Sequence, residues 1–152
     1  MIVVGVDGSE CSRSALRFAL DEARIRHTKL RIVVGWHVPL AAYGAGLAPP
    51  PPGLMEDAEI AAGEVLAEAL ELAKADGPAL EIEPVVREGQ PANILVEEAA
   101  RADLLVVGSR GWGGFRELML GSVSQQCAHH ARCPVAIVRA GCEGAPPAES
   151  GR

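Results

Sequence analysis

The densest chemistry in the chain is one glycine-rich segment, Gly108-Ser-Arg-Gly111-Trp-Gly-Gly-Phe-Arg-Glu-Leu-Met-Leu-Gly121-Ser122-Val123-Ser124. Glycines let a chain take positive φ and bring backbone N–H groups close to a ligand. Consecutive amides of this kind form an anion-binding nest. A helix opening at Ser122 adds unpaired N–H groups and a positive dipole end, together a ready phosphate site. The hydroxyls of Ser122 and Ser124 and the guanidinium of Arg110 or Arg116 are further donors. The stretch is net positive within a chain of formal charge −6, which favours an anion locally. Ser122 and Gln125 also spell the capping box S-x-x-Q, so capping the helix competes with phosphate binding as the role of Ser122.

Other phosphate signatures fail. The chain has no GxxxxGK(S/T) and therefore no triphosphate-clamping lysine. Gly111-Trp-Gly113 is not completed to GxGxxG, which argues against a dinucleotide fold. Nothing matches a Ser-His-Asp triad or a catalytic-cysteine signature, so no catalytic residue is assigned. Cys127, His129, His130 and Cys133 lie close together and invite a metal. Pro134 takes the chain out of helix there, however, and a structural zinc site needs a closed ligand set. A buried Cys127 with surface or interface histidines is the expectation, and no metal site.

The elements that must position the glycine segment follow from hydrophobic patterning. Five β-branched runs stand out: 2–6, 30–38, 81–87, 104–107 and 135–139. Leu104-Leu-Val-Val107 is continuously apolar, as strands buried on both faces of a parallel sheet are. Helical stretches fall between them at about 10–26, 54–75, 91–101 and 122–131, the first opening from Ser9 and the third from Pro91. Strict β-α alternation implies an open, mostly parallel α/β sheet with helices on both faces. Such sheets bind ligands beyond the carboxyl ends of the strands, where strand order reverses. An order of 3-2-1-4-5 would set Asp7 beside Gly108, whereas 2-1-3-4-5 would separate them; patterning alone leaves both open.

Composition bounds the remaining possibilities. At 152 residues the chain suits one domain with a self-sufficient core. Its 20 acids against 14 basic residues argue against nucleic acid as a bulk partner. No run approaches the roughly 18 apolar residues needed to span a bilayer. The opening Met1-Ile-Val-Val-Gly-Val-Asp7 has no basic segment and reads as a strand, not a signal peptide. Four cysteines without a framework spacing suit a reducing cytoplasm. Many of the 17 glycines and 11 prolines fall in residues 39–53, expected to be a loop that is either a plain surface connection or a flap carrying Tyr43. Residues 140–152 read as a disordered tail.

Gly108, Gly111, Gly121 and Ser122 fit G-x2-G-x9-G-(S/T), a pattern expected by chance on the order of 0.01 times in a chain of this composition. This resembles the ATP-binding signature of the universal stress protein family. The opening Ile2-Val-Val-Gly-Val-Asp7-Gly-Ser, the run Ala102-Asp-Leu-Leu-Val-Val-Gly-Ser-Arg-Gly111 and the ending Cys133-Pro-Val-Ala-Ile-Val-Arg139 are similar to that family too, so the likeness covers residues 1–139. It implies one domain over 1–139, built on a five-stranded parallel sheet ordered 3-2-1-4-5. That is a Rossmann-like arrangement of the adenine nucleotide alpha hydrolase type. It also implies that Asp7 lies near the ribose and base, flanked by Gly5 and Val6, and that the backbone of Val38 meets adenine. Val107 and Gly108 would then bound the nucleotide, and Gly111, Gly121, Ser122, Val123 and Ser124 would hold its phosphates. Trp112 and Phe115 make the loop bulkier than in some members.

The function so implied is that of an ATP-binding regulator in stress response, a homodimer through strand 135–139, with an unidentified protein partner conceivable. Asp7 is assigned to ligand contact or to Mg²⁺ carried in with ATP. Glycine amides bind ground and transition states alike, so hydrolysis is expected to be slow. A slow nucleotide hydrolase and a nucleotide-independent adaptor are the rival readings.

Overall fold

A computed structural model describes residues 1–38, 51–77, 79–111 and 120–140. Tyr43 and most of the expected flap, Trp112, Phe115, Arg116 and all but Ala140 of the expected tail lie outside the described residues.

The elements alternate as β1 (Ile2–Gly5), α1 (Glu10–Ile25), β2 (Leu30–Trp36), α2 (Leu54–Ala75), β3 (Ile82–Glu88), α3 (Pro91–Glu98), β4 (Leu104–Gly108), α4 (Ser122–His130) and β5 (Val135–Val138). They form one five-stranded sheet, ordered β3-β2-β1-β4-β5 and parallel throughout. This is the order implied by the family resemblance, and it excludes the 2-1-3-4-5 alternative.

Successive strand side chains point to opposite faces, and the core divides accordingly. Ile2, Val4 and Val6 join Ile32, Val34 and Val106 beneath α1 and α2, where the buried helix residues are mostly alanines and leucines such as Ala15, Leu16, Ala19 and Ala69. Val3, Val33, Leu105 and Val107 face the other way, onto Ile94 and Leu95 of α3, the Ala99 that caps its end, and Cys127 of α4. Small residues let helix and sheet approach closely. A β-carbon on Gly108 would lie 2.8 Å from the backbone carbonyl carbon of Cys11, so α1 rests directly on the end of β4.

Most element ends fall within a residue or so of the sequence expectation, and the differences that bear on the site are at β2, α3 and the cap of α4. Strand β2 ends at Trp36, whose carbonyl takes the N–H of Gly89 at 2.8 Å as β3 also ends; Val38 therefore lies beyond the strand. Helix α3 stops at Glu98 rather than near 101. Helix α4 has Gly121 as its N-cap and Ser122 as its first residue, with no side chain capping it. The S-x-x-Q pattern is thus one position out of register with a capping box, and Ser122 does not cap the helix. Ser9 does cap α1, accepting from the Ser12 N–H at 3.2 Å.

Candidate functional site

Crossovers leave β1 on one side and return to β4 on the other, which opens a crevice at the carboxyl ends of these two strands. A cavity of about 480 Å³ occupies it, within the range of small-molecule sites. From β1 and the turn after it come Gly5, Val6 and Asp7; from β4 and its loop come Val107, Gly108, Arg110 and Gly111. Gly121, Ser122, Val123 and Ser124 close the cavity from the start of α4. Val38 is not among the lining residues, because β2 reaches the cavity earlier in the chain, at Gly35.

Six further residues line this space that the sequence did not single out for it: Ser12, Gly35, Pro91, Leu95, Leu120 and Gln125. Pro91 and Leu95 belong to α3, which packs over β2 and β1, so their arrival depends on the crossover and leaves no local sequence mark. They give the β2 side of the cavity an apolar wall. A β-carbon on Gly35 would stand 3.0 Å from the Pro91 α-carbon, so glycine there is what admits α3.

Asp7 is held by the turn that follows it. Gly8 takes φ of 81°, and the Asp7 Oδ1 atom accepts from the Ser9 N–H at 3.0 Å and from the Ser9 hydroxyl at 2.5 Å. The Asp7 N–H donates to the Ser12 hydroxyl at 3.3 Å, and that hydroxyl donates to the Ser9 carbonyl at 2.9 Å. The carboxylate is therefore fixed in direction, with Oδ2 against the α-carbon of Gly111. The turn-forming role and the cavity-lining role of Asp7 coexist.

The glycine loop is pinned at its stem by Ser109, a residue only 1% exposed. Its N–H donates to the Val138 carbonyl and its carbonyl accepts from the Gly121 N–H, both at 2.7 Å. The Ser124 hydroxyl reaches the carbonyls of Ser109 at 3.1 Å and Gly121 at 2.9 Å. Its one hydrogen is thereby committed, and what Ser124 offers the cavity is its backbone N–H. The first bond into α4 is from the Gln125 N–H to the Gly121 carbonyl at 3.0 Å. The N–H groups of Ser122, Val123 and Ser124 precede it and have no backbone acceptor among the described residues. With no acid in the first turn either, the positive end of α4 opens onto the cavity.

The cysteine–histidine cluster divides. Cys127 is fully buried under the sheet, and this burial, followed by the nearby Cys133, pushes its thiol up to about 11. His129 and His130 are exposed. Among the described residues no group of three His, Cys, Asp or Glu side chains is placed to hold a metal ion.

The family model of the universal stress proteins matches residues 1–139. The chain belongs to the universal stress protein family. A universal stress protein of Mycolicibacterium smegmatis is 39% identical over 138 residues, covering 91% of this chain and 45% of the relative. One from Mycobacterium tuberculosis is 38% identical over 138 residues, covering 91% and 44%. The chain thus spans about half the length of the curated relatives it matches. Among solved structures, a universal stress protein in complex with cAMP is 33% identical, with a TM-score of 0.66 and coverage of 91% of this chain and 95% of that one. The universal stress protein of Archaeoglobus fulgidus in complex with dAMP is 28% identical, with a TM-score of 0.64 and coverage of 90% and 95%.

Proposed function

We propose that this chain binds an adenine nucleotide in the cavity between β1 and β4, and that its physiological role is nucleotide-dependent regulation in stress response. One observation carries the reading. The open N-terminus of α4 and the glycine loop converge on a cavity whose opposite wall is apolar, so one space offers phosphate donors and a site for a flat base. The two universal stress proteins solved with cAMP and dAMP support an adenine ligand. ATP is the ligand implied by the G-x2-G-x9-G-(S/T) spacing. In this reading Gly111, Ser122, Val123 and Ser124 present N–H groups to the phosphates, Gly121 contributes its bare α-carbon while its own N–H stays on the Ser109 carbonyl, and Arg110 stands at the mouth. Gly5, Val6, Val107 and Gly108 bound the sugar and base and Asp7 contacts the ribose, while Gly35 takes the place on the β2 side that the family resemblance gave to Val38. Mg²⁺ brought in with ATP would meet the Asp7 carboxylate, the one acid among the described residues of the cavity wall.

Turnover of the nucleotide is slow in this reading. Fixed N–H donors bind ground-state and transition-state phosphates alike, and uniform binding does not accelerate chemistry. The chain acts as one domain over residues 1–139 in the cytoplasm; among the described residues no helix is long and apolar enough to cross a membrane.

The two sheet edges support a homodimer through residues 135–139. Edge β3 is guarded by Pro84 and by Glu83, Arg87 and Glu88, devices that discourage pairing. Edge β5 reads Val-Ala-Ile-Val, with neither charge nor proline. It is the edge fit to meet a second copy.

The decisive measurement is to denature the purified protein and identify any released small molecule, then follow melting with ATP, AMP and cAMP. A ligand at roughly 100 times its Kd adds about 2.7 kcal/mol through linkage. No released nucleotide and no shift with any of the three would overturn the proposal. Given binding, loss of turnover with retained affinity in Asp7→Asn would instead favour the hydrolase reading.

A further inference from the structure

The Ser122–Gln125 pair has the form of a capping box but caps nothing. The N-cap is Gly121, and its N–H is already held by the Ser109 carbonyl at 2.7 Å. Gln125 is the fourth residue of α4, one beyond the position from which a glutamine reaches back to the cap. Its side chain makes no hydrogen bond to any described residue. It is exposed and lines the cavity, three residues on from Ser122 and so on the same helix face. Three other polar side chains of the wall are engaged, Asp7 with Ser9, Ser12 with the Ser9 carbonyl, and Ser124 with two loop carbonyls, which leaves Gln125 with Arg110 and Ser122 as the side chains facing a ligand. No acid occupies the first turn of α4 in a chain that has 20 of them, although a glutamate near a helix start suits the dipole. A neutral amide stands where an acid would help the helix and hinder an anion.

We infer that Gln125 is a specificity-determining residue of the cavity, whose neutral amide sets how affinity depends on the phosphate charge of the nucleotide. The inference rests on the nucleotide-binding reading above. An amide donates to a phosphate oxygen and adds no repulsion, so ligands of low and high charge are both admitted. A carboxylate at the same place would repel each ligand in proportion to its charge, at the short range over which salt screens least.

The test is binding of cAMP, AMP and ATP, by calorimetry without divalent cation, to the unaltered protein, Gln125→Glu and Gln125→Ala. In Gln125→Glu the loss of affinity grows from cAMP through AMP to ATP and reaches about tenfold or more for ATP. Melting without ligand stays unchanged or rises in that variant, because the added acid suits the helix dipole, which separates binding from folding. Gln125→Ala loses a hydrogen bond without gaining charge, so its weaker loss is similar for all three ligands. Affinity that is unchanged in Gln125→Glu, or reduced equally for the three nucleotides, overturns this inference while nucleotide binding stands. Failure of the unaltered protein to bind any of them overturns both.

Discussion

The Asp7 Oδ2 atom lies well inside van der Waals contact of where a β-carbon on Gly111 would stand. The turn after β1 and the loop after β4 therefore touch through a carboxylate and a bare α-carbon, and the Ser9 hydroxyl, 3.4 Å from the Arg110 carbonyl, lies at the same seam. Gly111→Ala forces the carboxylate to turn, loosening the bonds that Ser9 makes to Oδ1. Overpacking of this kind costs about 1–3 kcal/mol. Nucleotide affinity falls with it, since both partners line the cavity. In an Asp7→Ala background the added methyl meets no carboxylate, so the same substitution costs less. A double-mutant cycle read from urea unfolding should give a coupling of at least about 0.5 kcal/mol; simple additivity would show that the contact is incidental.

Two other glycines predict opposite signs for the same change. At Gly108 a β-carbon would stand 2.8 Å and 3.0 Å from the backbone of Cys11, which a flexible side chain cannot relieve. Gly108→Ala must push α1 off the end of β4, and it should lower the melting temperature or prevent soluble folding. Gly63 lies inside α2, exposed, with nothing within 4 Å of its would-be β-carbon. Gly63→Ala should stabilise by about 1 kcal/mol. Thermal unfolding checks both, at roughly 2–4 °C per kcal/mol for a chain of this size.

The contrast shows what sequence patterning can and cannot carry. Leu104-Leu-Val-Val107 announces a strand buried on both faces, and Ser9 announces a helix start, because the cause in each case is local. Helix α4 begins at Ser122, as its pattern suggests, yet its N-cap is Gly121, because the Ser109 carbonyl fixes the Gly121 N–H and so the register of the cap. Val38 continues an apolar run, but β2 ends two residues earlier, where pairing with β3 stops at Glu88. Leu95 and Pro91 reach the cavity only through packing of α3 on distant strands. Spacing reveals the donors of a site; the apolar wall opposite them is a property of the fold.

Stability in acid should depend on Glu83. Hydrogen bonds from Lys29, and then from Arg31, hold its carboxyl below the ordinary value of 4.5. The unfolded chain takes up a proton near that ordinary value while the folded chain resists it. Its contribution is therefore present above about pH 4.5 and lost as pH falls through the lower folded value. Asp103, held down by the N-terminal ammonium of Met1, acts in the same direction. Urea midpoints followed from about pH 7 to about pH 3 should show Glu83→Gln less stable than the unaltered protein at neutral pH and converging with it in acid. A constant difference across that range would assign the effect of the substitution to packing.

The outward face of β5 offers a test that separates backbone pairing from side-chain burial. The carbonyls of Pro134 and Val138 both accept from the β4 side, from the Leu105 N–H at 3.0 Å and the Ser109 N–H at 2.7 Å. In a parallel strand the N–H and carbonyl of one residue point the same way, and direction alternates along the chain, so Val135 and Ile137 direct theirs away from β4. Ile137→Pro removes an outward N–H without breaking the β4 ladder. Ile137→Ala sheds a similar part of the half-buried side chain and keeps the N–H. If a second copy pairs along this edge, sedimentation should find Ile137→Ala still dimeric and Ile137→Pro monomeric at the same protein concentration. Equal dimerisation of the two variants would place the contact on side chains or on another face, and a monomeric unaltered protein would remove the homodimer from the proposal altogether.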